Sequence, residues 1–278
     1  MKLDILVPIH TYPDGNADNF SLHAAAIARH LNADVHALVL NADFPRVSSA
    51  LGSVLLDVPA LIGGAKAKCR ERGAAVVLAL ETELGSLGIP LRTSHIECFP
   101  GAAGDLVSSL ARYHDFVLVG IGPSDVTPQA TAEAAVFGSG RPTLLVLEDA
   151  PAATFGHVMI AWDGSRVAAR AVSDARDFLQ RAQTVTIASV TDEKALPDND
   201  AGSRLAEYLA RHDIQATVAQ VQSRGRPIAE TLQDHALEIG ADMMVMGAFG
   251  HSRMRDFVMG GATTGILRDL KLPVLLSH

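Results

Sequence analysis

Short apolar runs alternate along this chain with stretches whose apolar residues recur every three or four positions. The contrast is clearest in the second half. "VMIAW" reads as a buried strand. After it, Ser165 stands where a helix cap belongs, followed by Ala168, Ala171, Val172, Ala175, Phe178 and Leu179 at helical spacing. "TVTIASV" is rich in β-branched residues and predicts a strand, residues 201–213 a helix, and "ATVAQVQ" an alternating strand. Pro227 opens a further helix with Ile228, Leu232, Ala236 and Ile239 on one face, and Gly240 stops it. "ADMMVMG" is a fourth strand, residues 261–270 a fourth helix, and "PVLLS" a fifth strand.

The first half repeats this grammar with more decoration. "LDILVPIHT" parallels "HVMIAWDGS", "DFVLVGIGP" parallels "DMMVMGAFG", and "RPTLLVLED" parallels "LPVLLSH". "ADVHALVL" and "LRTSHIE" supply two more strands. Helical regions run from about Ala60 to Leu87 and from about Gly101 to Tyr113. Residues 44–58 fit no element cleanly and are either a surface loop or a short extra helix. "EDAPAATFG", Glu148 to Gly156, is the candidate linker. The expectation is therefore an α/β chain of two repeated domains, 1–149 and 156–278. Each is an open five-stranded parallel sheet with helices on both faces. In such sheets ligands sit beyond the C-terminal strand ends, where the strand order switches.

Composition narrows the function. The chain has 278 residues, 48% hydrophobic and 19% charged, so both domains can bury a core. A formal charge of −8 argues against general nucleic-acid binding. No apolar run is long enough to span a membrane. The two cysteines, Cys69 and Cys98, form no C-x-x-C pair and fit a reducing compartment, so a cytoplasmic location is expected. The eleven histidines show no zinc-type spacing, and no metal site is expected. No nucleophile–base constellation stands out, and no catalytic residue is assigned.

One stretch does carry candidate chemistry: "GAFGHSRMRDFVMGGATT", Gly247 to Thr264. It joins a strand to a helix. Glycines let the backbone approach a ligand, and a helix N-terminus offers free N–H groups to a phosphate. Arg253 and Arg255 could offset phosphate charge. A packing turn is the other reading. The stretch is neither a P-loop nor a G-x-G-x-x-G fingerprint. Gly247, Gly250 and then, after nine residues, Gly260 resemble the loop G-x-x-G-x9-G-[ST] of the universal stress proteins. "AWDGS" and the closing "LPVLLS" extend the likeness over the second half, and the first half resembles the family in layout.

That resemblance implies ATP held without a P-loop; a Mg²⁺ ion carried in with ATP is expected sooner than a metal site built from the histidines. The resemblance implies that Asp163 sits by the adenosine, that Val190 lines the adenine pocket, and that Met246 and Gly247 flank base and ribose. Gly250, Gly260, Gly261, Ala262 and Thr263 would cradle the phosphates. Gly261 departs from the family pattern, which has Ser or Thr there. The first half has Gly120 followed by Pro123, with Gln129 near the place of Gly260 and His10 near that of Asp163, so it is expected to be empty. The family pairs its last strands across a two-fold axis. "TLLVL" and "PVLLS" are therefore expected to pair within one chain as a pseudo-dimer, with a further homodimer left open. The function expected is a nucleotide-responsive stress regulator. A non-nucleotide interaction module, and a weak ATPase in which Asp163 orients water, remain alternatives.

Overall fold

The strands form where β-branched and aliphatic residues run together, and they assemble into one sheet. The computed structural model describes residues 2–17, 19–44, 58–122, 126–152, 154–192, 200–248 and 261–278. In the first half β1 (Leu3–His10), β2 (Ala33–Ala42), β3 (Leu91–Cys98), β4 (Phe116–Ile121) and β5 (Thr143–Leu147) alternate with α1 (Phe20–Leu31), α2 (Val58–Ser86), α3 (Ala103–Ala111) and α4 (Val126–Gly138). The second half carries β6 (His157–Ala161), β7 (Thr184–Val190), β8 (Thr217–Val221), β9 (Met243–Gly247) and β10 (Val274–Ser277). Its described helices are α5 (Arg166–Asp174), α6 (Arg176–Arg181), α7 (Ala201–Ala210), α8 (Ile228–Glu238) and α9 (Ala262–Arg268).

The ten strands lie in the order β3-β2-β1-β4-β5-β10-β9-β6-β7-β8. All pairings are parallel except β5 with β10, which is antiparallel with Leu144 opposite Leu275. The two five-stranded halves are thus joined edge to edge, as expected from their last strands. This leaves β3 and β8 as the outer edges. On β3, Arg92, His95 and Glu97 are exposed, and such charges discourage pairing with another chain.

Two cores lie on opposite faces of this sheet, and each runs across both halves. One collects Val7, Phe20, Leu80, Phe155, Phe178 and Leu205, under α1, α2 and α5 to α7. The other collects Val107, Val136, Met246, Leu232 and Ile266, under α3, α4, α8 and α9. Burial on both faces accounts for strands that read as continuous apolar runs rather than alternating ones.

The repeat is visible in hydrogen bonds. The Asp115 carboxylate accepts from Asp4 N at 2.8 Å, and Asp115 N donates to Asp4 O at 2.9 Å. In the second half the Asp242 carboxylate accepts from His157 N at 2.9 Å, and Asp242 N donates to His157 O at 2.8 Å. Each aspartate fastens the start of its domain's first strand to the fourth. Asp4 and His157 are equivalent positions, which sets His10 against Asp163 and Gly120 against Gly247.

Some boundaries differ from the pattern. The helix after Ser165 breaks at Ala175, whose ψ of 4° leaves the helical range, yet its apolar face continues through Phe178 and Leu179. Pro100 draws the entry to α3 into a short 3-10 turn. Most of 44–58 lies outside the described residues. The linker is packed down: Phe155 is buried, and its ring lies 5.1 Å from His30 and 5.3 Å from Phe178. Among the described residues no helix is long and apolar enough to cross a membrane.

Candidate functional site

In the second half the chain runs outward from β6 through β7 to β8, then crosses back to β9 and β10. The strand order therefore reverses between β6 and β9, which opens a crevice at their carboxyl ends. Ala161 pairs with both Ala188 and Met246, so the residues that follow these strands meet at one rim. Asp163, Val190 and Gly247 all lie at or just past these strand ends.

Asp163 closes a local turn. Its Oδ1 accepts from Ser165 N at 2.9 Å, a geometry suited to a short acidic side chain after a strand. Ser165 caps α5, its hydroxyl accepting from Ala168 N at 3.2 Å. Trp162 braces the rim from below. Its indole donates to Ala201 O at 3.1 Å, and its carbonyl accepts from Ser189 Oγ at 2.8 Å.

The glycines differ in what they do. A Cβ on Gly247 would stand 2.4 Å from Ala168 N and 2.5 Å from Val167 C. The missing side chain thus lets the first turn of α5 lie against β9. Met246 turns its side chain into the core beside Ala161 and Ile266, so it offers backbone rather than side chain to the crevice. Gly261 is the N-cap of α9 with extended backbone, φ −66° and ψ 147°. A Cβ there would meet nothing within 4 Å among the described residues. Ala262 is half-buried, and Thr263 is buried. Gly250, Gly260, Arg253 and Arg255 lie outside the described residues.

The first half has its own switch point, between β1 and β4. His10, in the place of Asp163, is buried, with Nε2 3.0 Å from Thr131 Oγ1 on α4. Burial lowers its pKa from 6.5 to about 4, so the ring is neutral at physiological pH. Gln129 lies inside α4, so a helix stands at the position matched to Gly260. Pro123 lies outside the described residues. Sequence reasoning missed Glu148, placed in the linker, and Asn16, both of which fill this crevice. Two residues 132 positions apart leave no periodic signal.

Comparison with known proteins agrees with this fold. Residues 154–278 match the model of the Universal stress protein family, so the chain carries a universal stress protein domain in its second half. Over 99% of its length the chain has the fold of a universal stress protein from Archaeoglobus fulgidus DSM 4304, with a TM-score of 0.73, 18% identity and 96% of that protein covered. A functionally unknown protein from Pseudomonas aeruginosa PAO1 has the same fold, with a TM-score of 0.61, 16% identity, and 99% and 92% of the two chains covered. No curated protein matches the chain in sequence.

Proposed function

We propose that the second domain binds ATP or a related adenine nucleotide in the crevice between β6 and β9, and that the chain acts as a nucleotide-responsive stress regulator in the cytoplasm. The observation that carries this reading is that Asp163, Val190 and Gly247 lie at the carboxyl strand ends where the second domain's strand order reverses. The described residues fit the ligand. Asp163 would hold the ribose, the rim at Val190 would face the base, and Gly261 would offer a phosphate its backbone N–H without the hydroxyl that Ser or Thr supplies. The glycines Gly250 and Gly260 and the backbone of Ala262 and Thr263 would take the phosphates, with Mg²⁺ arriving on the nucleotide.

Magnitudes divide the work. A helix terminus contributes roughly 0.3–1 kcal/mol to a charge, about 2 when partly buried. Micromolar affinity needs about 8 kcal/mol. The base and ribose contacts therefore have to contribute most of the binding. Titration calorimetry with ATP tests this on wild type, Asp163→Ala and Gly260→Asp. Binding by wild type that is weakened in both variants supports the reading; no binding by wild type at millimolar ATP refutes it.

A second reading rests on Gly247. Its missing side chain is accounted for by the packing of α5, which a non-nucleotide interaction module would need equally. ATP-independent folding and partner binding, with no heat on titration, would favour it.

A further inference from the structure

The crevice of the first domain is filled from within. Glu148 directly follows β5 and continues its ladder with β4, its N donating to Ile121 O at 3.2 Å. It is only 4% exposed. Its Oε2 accepts from Ala17 N at 2.7 Å, and its Oε1 accepts from the Asn16 side-chain amide. Asn16 is held in turn by the end of β1: its Oδ1 accepts from His10 N at 2.7 Å, and its N donates to His10 O at 3.3 Å. These donors lie just ahead of α1, whose dipole favours a negative charge there.

The strand-end glycine makes the difference between the repeats plain. A Cβ on Gly120 would lie 2.2 Å from Glu148 Oε1 and 2.8 Å from Phe20 Cδ2. The equivalent Gly247 makes room for helix backbone instead. One repeat thus uses its glycine to admit a carboxylate at the switch point, and the other uses it to admit α5.

We propose that Glu148 is a built-in ligand: its carboxylate occupies a seat at the β1–β4 switch point, formed by Asn16 and Ala17, that accepts a small monocarboxylate. Truncation to alanine removes one CH₂ and the carboxylate, the same heavy atoms as an acetate ion. The Glu148→Ala chain therefore keeps the seat and binds free acetate in it. The idea stands apart from nucleotide binding in the second domain, since it uses neither ATP nor any residue of 156–278, and either can fail alone.

The test is thermal unfolding of wild type, Glu148→Ala and Glu148→Gln, titrated with acetate, with acetamide as neutral isostere and with sodium chloride at matched ionic strength. The expected result is a lowered Tm for Glu148→Ala that acetate restores saturably by at least half. Acetamide and chloride do not restore it. Glu148→Gln fills the seat and gains nothing from acetate. Equal acetate effects on wild type and Glu148→Ala, or acetamide as effective as acetate, overturn the proposal. If the alanine chain does not fold unaided, refolding is compared in acetate and acetamide. Recovery with acetate alone supports the seat, and recovery with neither, or with both, overturns it. A shift of the Ala17 amide resonance on adding acetate to Glu148→Ala, absent in Glu148→Gln, locates the ion.

Discussion

Replacing Gly247 with alanine separates the two jobs a glycine at a strand end can have. Its backbone has no positive φ, so alanine is conformationally acceptable and, taken alone, would stabilise the chain by about 0.4–1 kcal/mol through the unfolded state. The new methyl would lie 2.4 Å from Ala168 N, 2.5 Å from Val167 C and 2.9 Å from Ala168 Cα. These are backbone atoms in the first turn of α5, so no rotamer change relieves them. The helix must move by about 1 Å to restore an ordinary contact of roughly 3.5–4 Å. Overpacking of this kind costs typically about 1–3 kcal/mol, with the upper end expected where backbone is struck. The net loss of about 2 kcal/mol corresponds to roughly 4–8 °C in Tm. Denaturant titration followed by circular dichroism measures it. A Gly247→Ala chain within about 0.5 kcal/mol of wild type, the usual size of a surface-substitution effect, would refute the reasoning that helix packing selects this glycine.

Gly261→Ser meets no described residue within 4 Å of its Cβ at an N-cap and is expected to stabilise by about a few tenths of a kcal/mol; a destabilised variant would contradict the cap geometry. Asp163→Ala is expected to weaken ATP binding about tenfold or more, the loss of a hydrogen bond to a charged acceptor, and the single tryptophan, Trp162, gives a fluorescence readout one residue away. His10 makes stability pH-dependent: its folded pKa of about 4 lies below 6.5, so its contribution is complete above pH 6.5 and is lost as pH falls toward 4. The loss amounts to about 3 kcal/mol, and His10→Gln should flatten the pH profile of unfolding in that window. Leu275→Ala removes a buried side chain opposite Leu144 at the β5–β10 seam and should cost about 2–5 kcal/mol. Urea unfolding measures that loss, and a loss below about 1 kcal/mol would show that the seam contributes little.

The elements legible in the sequence were those with one clear period. The strands of the second half, the cap at Ser165 and the long helix ahead of Leu87 all follow from local pattern, whereas the pairing of "TLLVL" with "PVLLS" followed from the family resemblance. What the pattern could not carry was the use made of individual residues. Gly247 reads as a ligand glycine or a packing glycine until the position of Ala168 is known. Met246 reads as a rim residue, but its side chain lies in the core, because strand alternation places it on the face under α9. Glu148 reads as a polar residue ending an apolar run. Its partners, Asn16 and Ala17, lie at the other end of the domain's sequence, and a contact so distant leaves no mark on spacing. Gly250 and Gly260, which carried the resemblance, lie outside the described residues, so their role rests on calorimetry.

The antiparallel seam between β5 and β10 has a consequence for how such a protein can change. In an assembly of two identical subunits, every substitution is made twice, and a residue that closes one crevice closes both. Joining the halves in one chain removes that coupling. A carboxylate can settle permanently into one half while the other keeps its loop, and the shared sheet still holds the two together. The seam turns symmetry from a constraint into an inheritance that each half is free to depart from.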